Sequence, residues 1–173
     1  MSTHNKTQQH NAWIALGGNQ GDVHSCFKSA RESIDKHPDC KLLQSSLLYQ
    51  TPPLGPAGQA DYLNAVIVIN TSLEPLDLLQ VLQDIEHMHG RIRQEHWGAR
   101  TLDLDMLAYD ALHLQSNTLT LPHNQLHVRQ FVLRPLCDLT PQWLHPSIRK
   151  SASELLQSLL DSGEEALESG SPW

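Results

Sequence analysis

The chain has few basic residues and no long apolar run. Its 173 residues include 12 Lys and Arg against 19 Asp and Glu, a formal net charge of −7 with histidine neutral. A net acidic chain is not expected to bind nucleic acid, and an anionic ligand would need a local basic cluster. No apolar stretch approaches the ~20 residues of a membrane span, so no membrane partner is expected.

Cysteine is also scarce. Cys26, Cys40 and Cys137 are far apart, are odd in number and form no CxxC pair. This pattern argues against a disulfide framework and against structural zinc. The polar start, MSTHNKTQQHN, lacks the apolar core of a signal peptide, which predicts a cytoplasmic protein. Neither phosphate-loop pattern occurs, GxxxxGKS/T or GxGxxG, and HExxH and GxSxG are absent too.

What the sequence does contain predicts a single α+β domain. Strand-like and helical patterns alternate in the order β-α-β-β-α-β, typical of a ferredoxin-like core. We expect its helices on one face of the sheet, a further C-terminal helix in SASELLQSLLDS, and the other sheet face free for a ligand. Asp22 is placed to cap the first helix, and Pro75 to begin the second. The predicted organisation is a disordered lead over 1–10, one domain over 11–162 and a mobile acidic tail over 163–173.

Two carboxylates interrupt an otherwise apolar strand pattern in HWGARTLDLDMLAYD. Asp103 and Asp105 are two residues apart, so on a strand they project from the same face, and Leu102, Leu104 and Met106 project from the other. Converging carboxylates suit Mg²⁺, which completes its shell with water and phosphate oxygens. The alternative is a solvated strand face, since a bare DxD pattern is weak.

Basic residues flank this acidic pair. Arg91, Arg93 and Arg100 are close together in the chain, with Trp97 among them, and guanidinium groups match the geometry of phosphate. Further along, TLPHNQLHVRQF adds His123 and Arg129. The alternatives are a solvated arginine loop with salt bridges and an ordinary loop histidine. Arginines beside paired acids nevertheless favour a polyphosphate held between metal and guanidinium groups.

Several stretches together resemble the 6-hydroxymethyl-7,8-dihydropterin pyrophosphokinase family. They are ALGGNQGD, YQTPPLGPAGQADYLNAV, IEHMHGRIRQEHWGARTLDLDMLAYD and LTLPHNQLHVRQFVLRPL. The resemblance implies a magnesium-dependent enzyme of folate biosynthesis. It would transfer pyrophosphate from ATP to the pterin hydroxymethyl group and release AMP. Small-molecule partners and a monomer are expected.

The resemblance also implies roles for individual residues. Two Mg²⁺ ions would be held by Asp103 and Asp105, and Arg91 and Arg100 would act with them in catalysis. ATP would contact Glu86, Arg91, Arg93, Trp97, Arg100, Met106, Leu119, Thr120, His123 and Arg129. The pterin would contact Thr51, Pro52, Leu54, Tyr62, Asn64, Asp103 and Phe131, stacking between Tyr62 and Phe131. For Tyr62 and Asn64 the alternative is an ordinary strand start.

The chain departs from the usual family pattern at His96, Asn124, Ala99 and Gly18, and none of these is an implied metal ligand. Two other functions stay open from the residues alone. One is a module that keeps the pterin or nucleotide pocket but does not turn over. The other is a DxD glycosyltransferase, which usually needs a larger nucleotide-sugar domain than this chain provides.

Overall fold

The computed structural model describes residues 8–53, 58–90 and 100–173. The elements, with a 3₁₀ turn at Leu126–Val128, are β1 (His10–Gly18), α1 (Val23–Asp35), β2 (Cys40–Ser45), β3 (Tyr49–Thr51), β4 (Tyr62–Thr71), α2 (Pro75–Met88), β5 (Asp103–Tyr109), β6 (Leu114–Gln115), β7 (Thr120–Leu121), α3 (Gln130–Leu139) and α4 (Ala152–Asp161).

Local signals account for where three helices begin. The Asp22 side chain accepts a hydrogen bond from the Ser25 backbone N–H at 3.0 Å, which confirms the predicted cap of α1. Pro75 is the first residue of α2, where its missing N–H costs no helical bond. Ser151 and Glu154 form a reciprocal capping box before α4.

The main sheet has the strand order β2-β4-β1-β5, and all neighbouring strands are antiparallel. The predicted α+β class is therefore confirmed. The stretch LLQSSLLYQT was predicted as one strand, but it forms parts of two strands, β2 and β3, on the same side of β4. Ser46 lies at the break, where its hydroxyl accepts the Val66 N–H at 2.9 Å. This bond satisfies a backbone donor where the strand ladder is interrupted.

Both faces of the sheet carry helices. On one face α1 and α2 pack against alternate strand residues such as Ile14, Ile67 and Leu104. On the other face α3 and α4 pack against the intervening residues, including Val66 and Leu107. The expectation that helices cover one face only is therefore wrong, since the apolar residues of the second face need cover too. The cover is partial, because α3 and α4 leave one end of the face open as a cavity.

The described residues at the two ends of the chain make contacts with the domain. Most of the predicted lead lies outside the described residues, but His10, its last residue, begins β1 and pairs with Thr71. The predicted mobile tail contacts the domain: Ser171 bridges to Leu48, and Trp173 contacts Phe27. Among the helices described, none has the length and apolar character needed to span a membrane.

Candidate active site

A cavity of about 650 Å³ opens on the second face of the sheet, and small residues of β1 form its floor. Gly17 pairs with Asn64 on one side and with Asp103 on the other. A Cβ atom at Gly17 would lie 3.8 Å from Asn64 Oδ1 and 4.0 Å from Asp103 Cβ. Glycine therefore leaves open the space between these two polar side chains.

The cavity is lined by residues from six segments that are separate in the sequence. They are Ala15, Leu16, Gly17, Thr51, Pro52, Tyr62, Asn64, Ala65, Arg100, Asp103, Asp105, Leu107, His123, Val128, Arg129, Gln130, Phe131, Val132, Glu164, Glu165 and Leu167. Most of the described residues predicted for the site are thus brought together.

The acidic pair has the predicted strand geometry. Leu104 and Met106 are buried under the helices of the first face, while Asp103 and Asp105 line the cavity on the second. Asp103 also forms an ion pair with Arg100. Burial works against the charge of Arg100, but its hydrogen bond and attraction to Asp103 prevail and raise the pKa of the guanidinium. Opposite charges are therefore already placed side by side in the cavity.

The turn after β1 fixes the backbone of Arg100. Asn19 Oδ1 accepts the Arg100 N–H at 2.9 Å, and the Arg100 carbonyl accepts the N–H groups of Asn19 and Gln20. The Asn19 amide also donates to the Ala60 carbonyl at 3.0 Å. Asn19 thus ties the segment before β5 to the segment before β4. No local sequence pattern predicts this role, because it depends on contacts between segments that are distant in the sequence.

Glu86 lies on α2 and is 3% exposed. Its Oε1 accepts the Leu104 N–H at 2.7 Å, between the two aspartates of β5. Glu86 does not line the cavity. The structure therefore gives this residue a contact that supports the strand carrying Asp103 and Asp105, and its predicted contact with ATP stays a prediction.

His123 and Arg129 bring basic groups to the cavity from the segment after β7. The His123 backbone N–H donates to the Leu107 carbonyl at 2.8 Å, which ties the residue to β5. Burial lowers the pKa of the His123 imidazole; Asp105 opposes this shift and Arg129 adds to it. The Arg129 guanidinium lies 5.7 Å from the centre of the Phe131 ring. This segment would thus offer an anion in the cavity one permanent cation and one titratable group, in addition to Arg100.

Aromatic and amide groups line another part of the cavity. The Asn64 amide donates to Thr51 Oγ1 at 2.8 Å, which joins β4 to β3 and orients Asn64. Tyr62 pairs with Thr51 in the same register. Burial raises the pKa of Tyr62, the Arg100 charge opposes the shift and Asp103 adds to it, so its phenol stays neutral. Together with Phe131, these groups offer flat apolar surfaces and an amide edge.

The remaining predicted residues lie elsewhere. Leu54, Arg91, Arg93 and Trp97 fall outside the described residues, as do the departures at His96 and Ala99. Met106 and Leu119 belong to the core on the first face, and Thr120 lies on β7. None of these three lines the cavity. Their predicted contacts with ATP are not tested by this arrangement.

The donor set is compatible with magnesium. Within the described ranges, no group of three or more His, Cys, Asp or Glu side chains could enclose a metal ion. Asp103 and Asp105 instead face a cavity that also holds arginines. Mg²⁺ commonly takes one or two protein carboxylates and fills its remaining positions with water and substrate phosphates. An open carboxylate pair fits that preference.

Comparison with known proteins agrees with the resemblance seen in the sequence. The chain is 40% identical over 150 residues to a 2-amino-4-hydroxy-6-hydroxymethyldihydropteridine pyrophosphokinase of Haemophilus influenzae, covering 87% of this chain and 93% of that protein. A Pseudomonas aeruginosa protein of the same name is 41% identical over 137 residues, covering 79% of this chain and 85% of that one.

Solved structures share the fold. A Plasmodium falciparum HPPK-DHPS crystal structure matches with a TM-score of 0.73 at 15% identity, covering 91% of this chain. At this low identity the match concerns the fold alone, and the chain spans 47% of that longer protein. The family model for 7,8-dihydro-6-hydroxymethylpterin-pyrophosphokinase matches residues 13–141, most of the domain described above. The chain therefore belongs to the 7,8-dihydro-6-hydroxymethylpterin-pyrophosphokinase family.

Proposed function

We propose that this chain transfers the β,γ-pyrophosphoryl group of ATP to the hydroxymethyl oxygen of 6-hydroxymethyl-7,8-dihydropterin, a step of folate biosynthesis. One observation carries the proposal: an acidic pair, two arginines and the aromatic side chains of Tyr62 and Phe131 line one cavity. In the reaction a bond forms between the hydroxymethyl oxygen and the β-phosphorus, the bond from that phosphorus to the AMP oxygen breaks, and the hydroxyl proton is released.

The catalytic contribution of the chain is positioning and electrostatics. Arg100 and Arg129 offer permanent positive charge to the triphosphate, and His123 adds a hydrogen-bonding ring. Since burial lowers the pKa of His123, the ring is mainly neutral near pH 7 before ATP binds. Arg91, Arg93 and Trp97 would add ATP contacts by the family resemblance.

The pterin would occupy the part of the cavity near Tyr62, Asn64 and Phe131. A flat heteroaromatic ring stacks favourably on aromatic faces. The Asn64 amide, held by Thr51, would read the ring edge through hydrogen bonds. Pro52 lines the same region, and Leu54 would complete it by the resemblance.

Magnesium would be held by Asp103 and Asp105, with two ions expected from the resemblance. Bound there, Mg²⁺ would neutralise and orient the triphosphate as charge moves toward AMP. Arg100, paired with Asp103, would share that negative charge. The close carboxylates also repel each other without metal, which supports a functional rather than a stabilising role.

The test is AMP formation from Mg-ATP and 6-hydroxymethyl-7,8-dihydropterin. We expect activity in the wild type and a loss of at least about 100-fold in Asp105→Ala, with an unchanged circular dichroism spectrum. The matched control is Asp84→Ala, which removes an exposed carboxylate on α2. Near-normal turnover in folded Asp105→Ala would refute the metal assignment.

The binding module without turnover is the second candidate. Calorimetry with an ATP analogue, Mg²⁺ and the pterin measures binding separately from chemistry. Binding of both ligands without AMP formation would favour this candidate over the enzyme. The site itself favours the enzyme, since both acids and Arg100, which the resemblance implies for catalysis, line the cavity.

Three finer assignments accompany this proposal. The strand order β2-β4-β1-β5 with antiparallel neighbours supports a ferredoxin-like core, with α3 and α4 added on the second face. Cytoplasmic location and a monomeric state remain predictions from the sequence. Size-exclusion chromatography with light scattering would test the monomer directly.

A further inference from the structure

The last residues of the chain run from the cavity to the far side of the sheet. We call residues 164–173 the C-terminal strap. Ser171 exchanges two backbone hydrogen bonds with Leu48, at 2.8 and 3.0 Å, next to the start of β3. Beyond it, Trp173 Nε1 donates to the Ser46 carbonyl at 2.8 Å, and the Arg31 guanidinium lies 4.3 Å from the ring centre. The strap is therefore anchored at its far end.

The strap passes close to the domain on its way. A Cβ atom at Gly170 would lie 2.7 Å from Leu47 Cβ and 2.9 Å from Tyr49 Cζ. These distances are too short for any side chain without movement of the packed groups. Glycine at this position therefore lets the strap lie directly on the segment that leads through β3 to Thr51.

A single side chain holds the near end of the strap. The Gln130 amide nitrogen donates to Glu164 Oε2 at 3.2 Å and to the Glu165 carbonyl at 2.9 Å. Its carbonyl oxygen accepts the Leu167 N–H at 2.7 Å. Gln130 is 7% exposed and begins α3, directly between Arg129 and Phe131. A buried amide making three bonds to one short segment fixes that segment relative to the cavity.

We propose that the strap forms a wall of the pterin subsite and that Gln130 is the positioning residue that holds it there. This inference rests on the proposed function. Glu164, Glu165 and Leu167 line the same cavity as Tyr62 and Phe131.

The charge of the strap assigns it to the pterin rather than to ATP. Two carboxylates at a cavity wall repel a triphosphate, whereas an uncharged pterin does not incur that cost. The pterin edge carries N–H donors that carboxylate and carbonyl oxygens accept, and Leu167 offers apolar contact. The wall therefore suits the neutral substrate and raises its affinity selectively.

The test compares Gln130→Ala and Gln130→Glu with the wild type in steady-state kinetics. Both variants remove donors to Glu164 and Glu165, and Gln130→Glu adds repulsion. We expect KM for the pterin to rise about tenfold, with kcat and KM for ATP within about twofold. Adding Glu164→Gln to the Gln130→Glu variant should bring the KM for the pterin partly back toward the wild-type value. The control is Gln157→Ala, which removes an exposed glutamine bond on α4.

Amide hydrogen exchange supplies a readout besides activity. In Gln130→Ala the Leu167 amide should exchange faster, while amides of β1 and β4 stay protected. If the Leu167 amide exchanges faster but the KM for the pterin is unchanged, the strap does not form a wall of the pterin subsite. If Leu167 exchange is unchanged, Gln130 does not hold the strap. Equal rises in the KM values for the pterin and for ATP would indicate general damage to the site and would contradict the assignment of the strap to the pterin. A wild type that forms no AMP would instead refute the proposed function, and the inference with it.

Discussion

His145, in the segment between α3 and α4, shows how one buried ring can make stability depend on pH. It is 6% exposed, and its Nδ1 accepts the backbone N–H groups of Ser147 at 3.3 Å and Ile148 at 3.2 Å. Burial lowers its pKa, and the neighbouring His127 and His113 lower it further. An Nδ1 that accepts two bonds must lack a proton, so the fold requires the neutral ring.

The first prediction is that His145 makes the protein less stable as pH falls. In the unfolded chain the imidazole titrates near pH 6.5, whereas in the fold its pKa is lower. The unfolded state therefore binds more protons between these two values. The stabilisation from neutral His145 is complete above about pH 6.5 and is lost as pH falls through the folded pKa. Urea unfolding at about pH 7.5 and 5.5 measures the change.

His145→Asn separates titration from hydrogen bonding. Its side-chain oxygen can accept backbone N–H groups two or three residues ahead but does not titrate. We expect this variant to lose less unfolding free energy than the wild type on acidification. The exposed His87→Asn serves as the control. If His145→Asn and the wild type lose the same amount, His145 does not cause the pH dependence.

At the scale of elements, the contact between α2 and β5 supports the acidic pair. Glu86 on α2 reaches the Leu104 N–H, so a helix side chain satisfies a donor on the edge strand of the sheet. Asp103 and Asp105 flank that donor in the chain. Any shift of Leu104 would move both carboxylates, because all three belong to one short strand.

The second prediction concerns Glu86→Leu. This substitution removes the carboxylate that accepts the buried Leu104 N–H. We expect the loss of this acceptor to lower the unfolding free energy by about 1–3 kcal/mol. Glu86→Gln keeps an acceptor oxygen and should lose less. Urea unfolding gives the stabilities, and Mg²⁺ titration of ATP-analogue binding reports the site. Equal destabilisation by both variants would show that the bond to Leu104 is not what matters.

Element-level patterns could be predicted from the sequence where the signal is local. The alternation of Leu102 to Met106 predicted the orientation of β5, and Asp22 and Pro75 predicted two helix starts. The cover of the second face by α3 and α4 was missed, because periodicity shows that a helix has an apolar face but not where it packs. The strap was missed for the same reason, since Gln130 and Leu167 are brought together only by the fold.

Site prediction had a similar limit. Tyr62, Asn64 and Phe131 were placed by resemblance to a family, and the cavity does bring them together. Asn19 and Gln130 carry no local pattern that separates them from other polar residues. Their roles come from hydrogen bonds to segments that are distant in the sequence. Such positioning residues need the tertiary structure.

At the scale of the whole molecule, one sheet joins two cores and the site. Strands β1, β4 and β5 contribute alternate residues to a core on each face. These strands and α3 also contribute residues to the cavity. We therefore expect the domain to unfold as one unit, with tryptophan fluorescence and circular dichroism reporting coincident transitions.

The last prediction follows from the expectation that the domain unfolds as one unit. A ligand bound only by the folded state stabilises the whole molecule by mass action, about 2.7 kcal/mol at 100 times its Kd. Mg²⁺ with a non-hydrolysable ATP analogue should therefore raise the urea midpoint equally by both probes. Adding EDTA should abolish most of the shift, and Asp105→Ala should lack it, because each would remove the magnesium that Asp103 and Asp105 are proposed to hold. Asp84→Ala should keep the full shift. If the shift persists in Asp105→Ala, the nucleotide binds without the acidic pair. If only one of the two probes reports the shift, the site and the two cores do not unfold together.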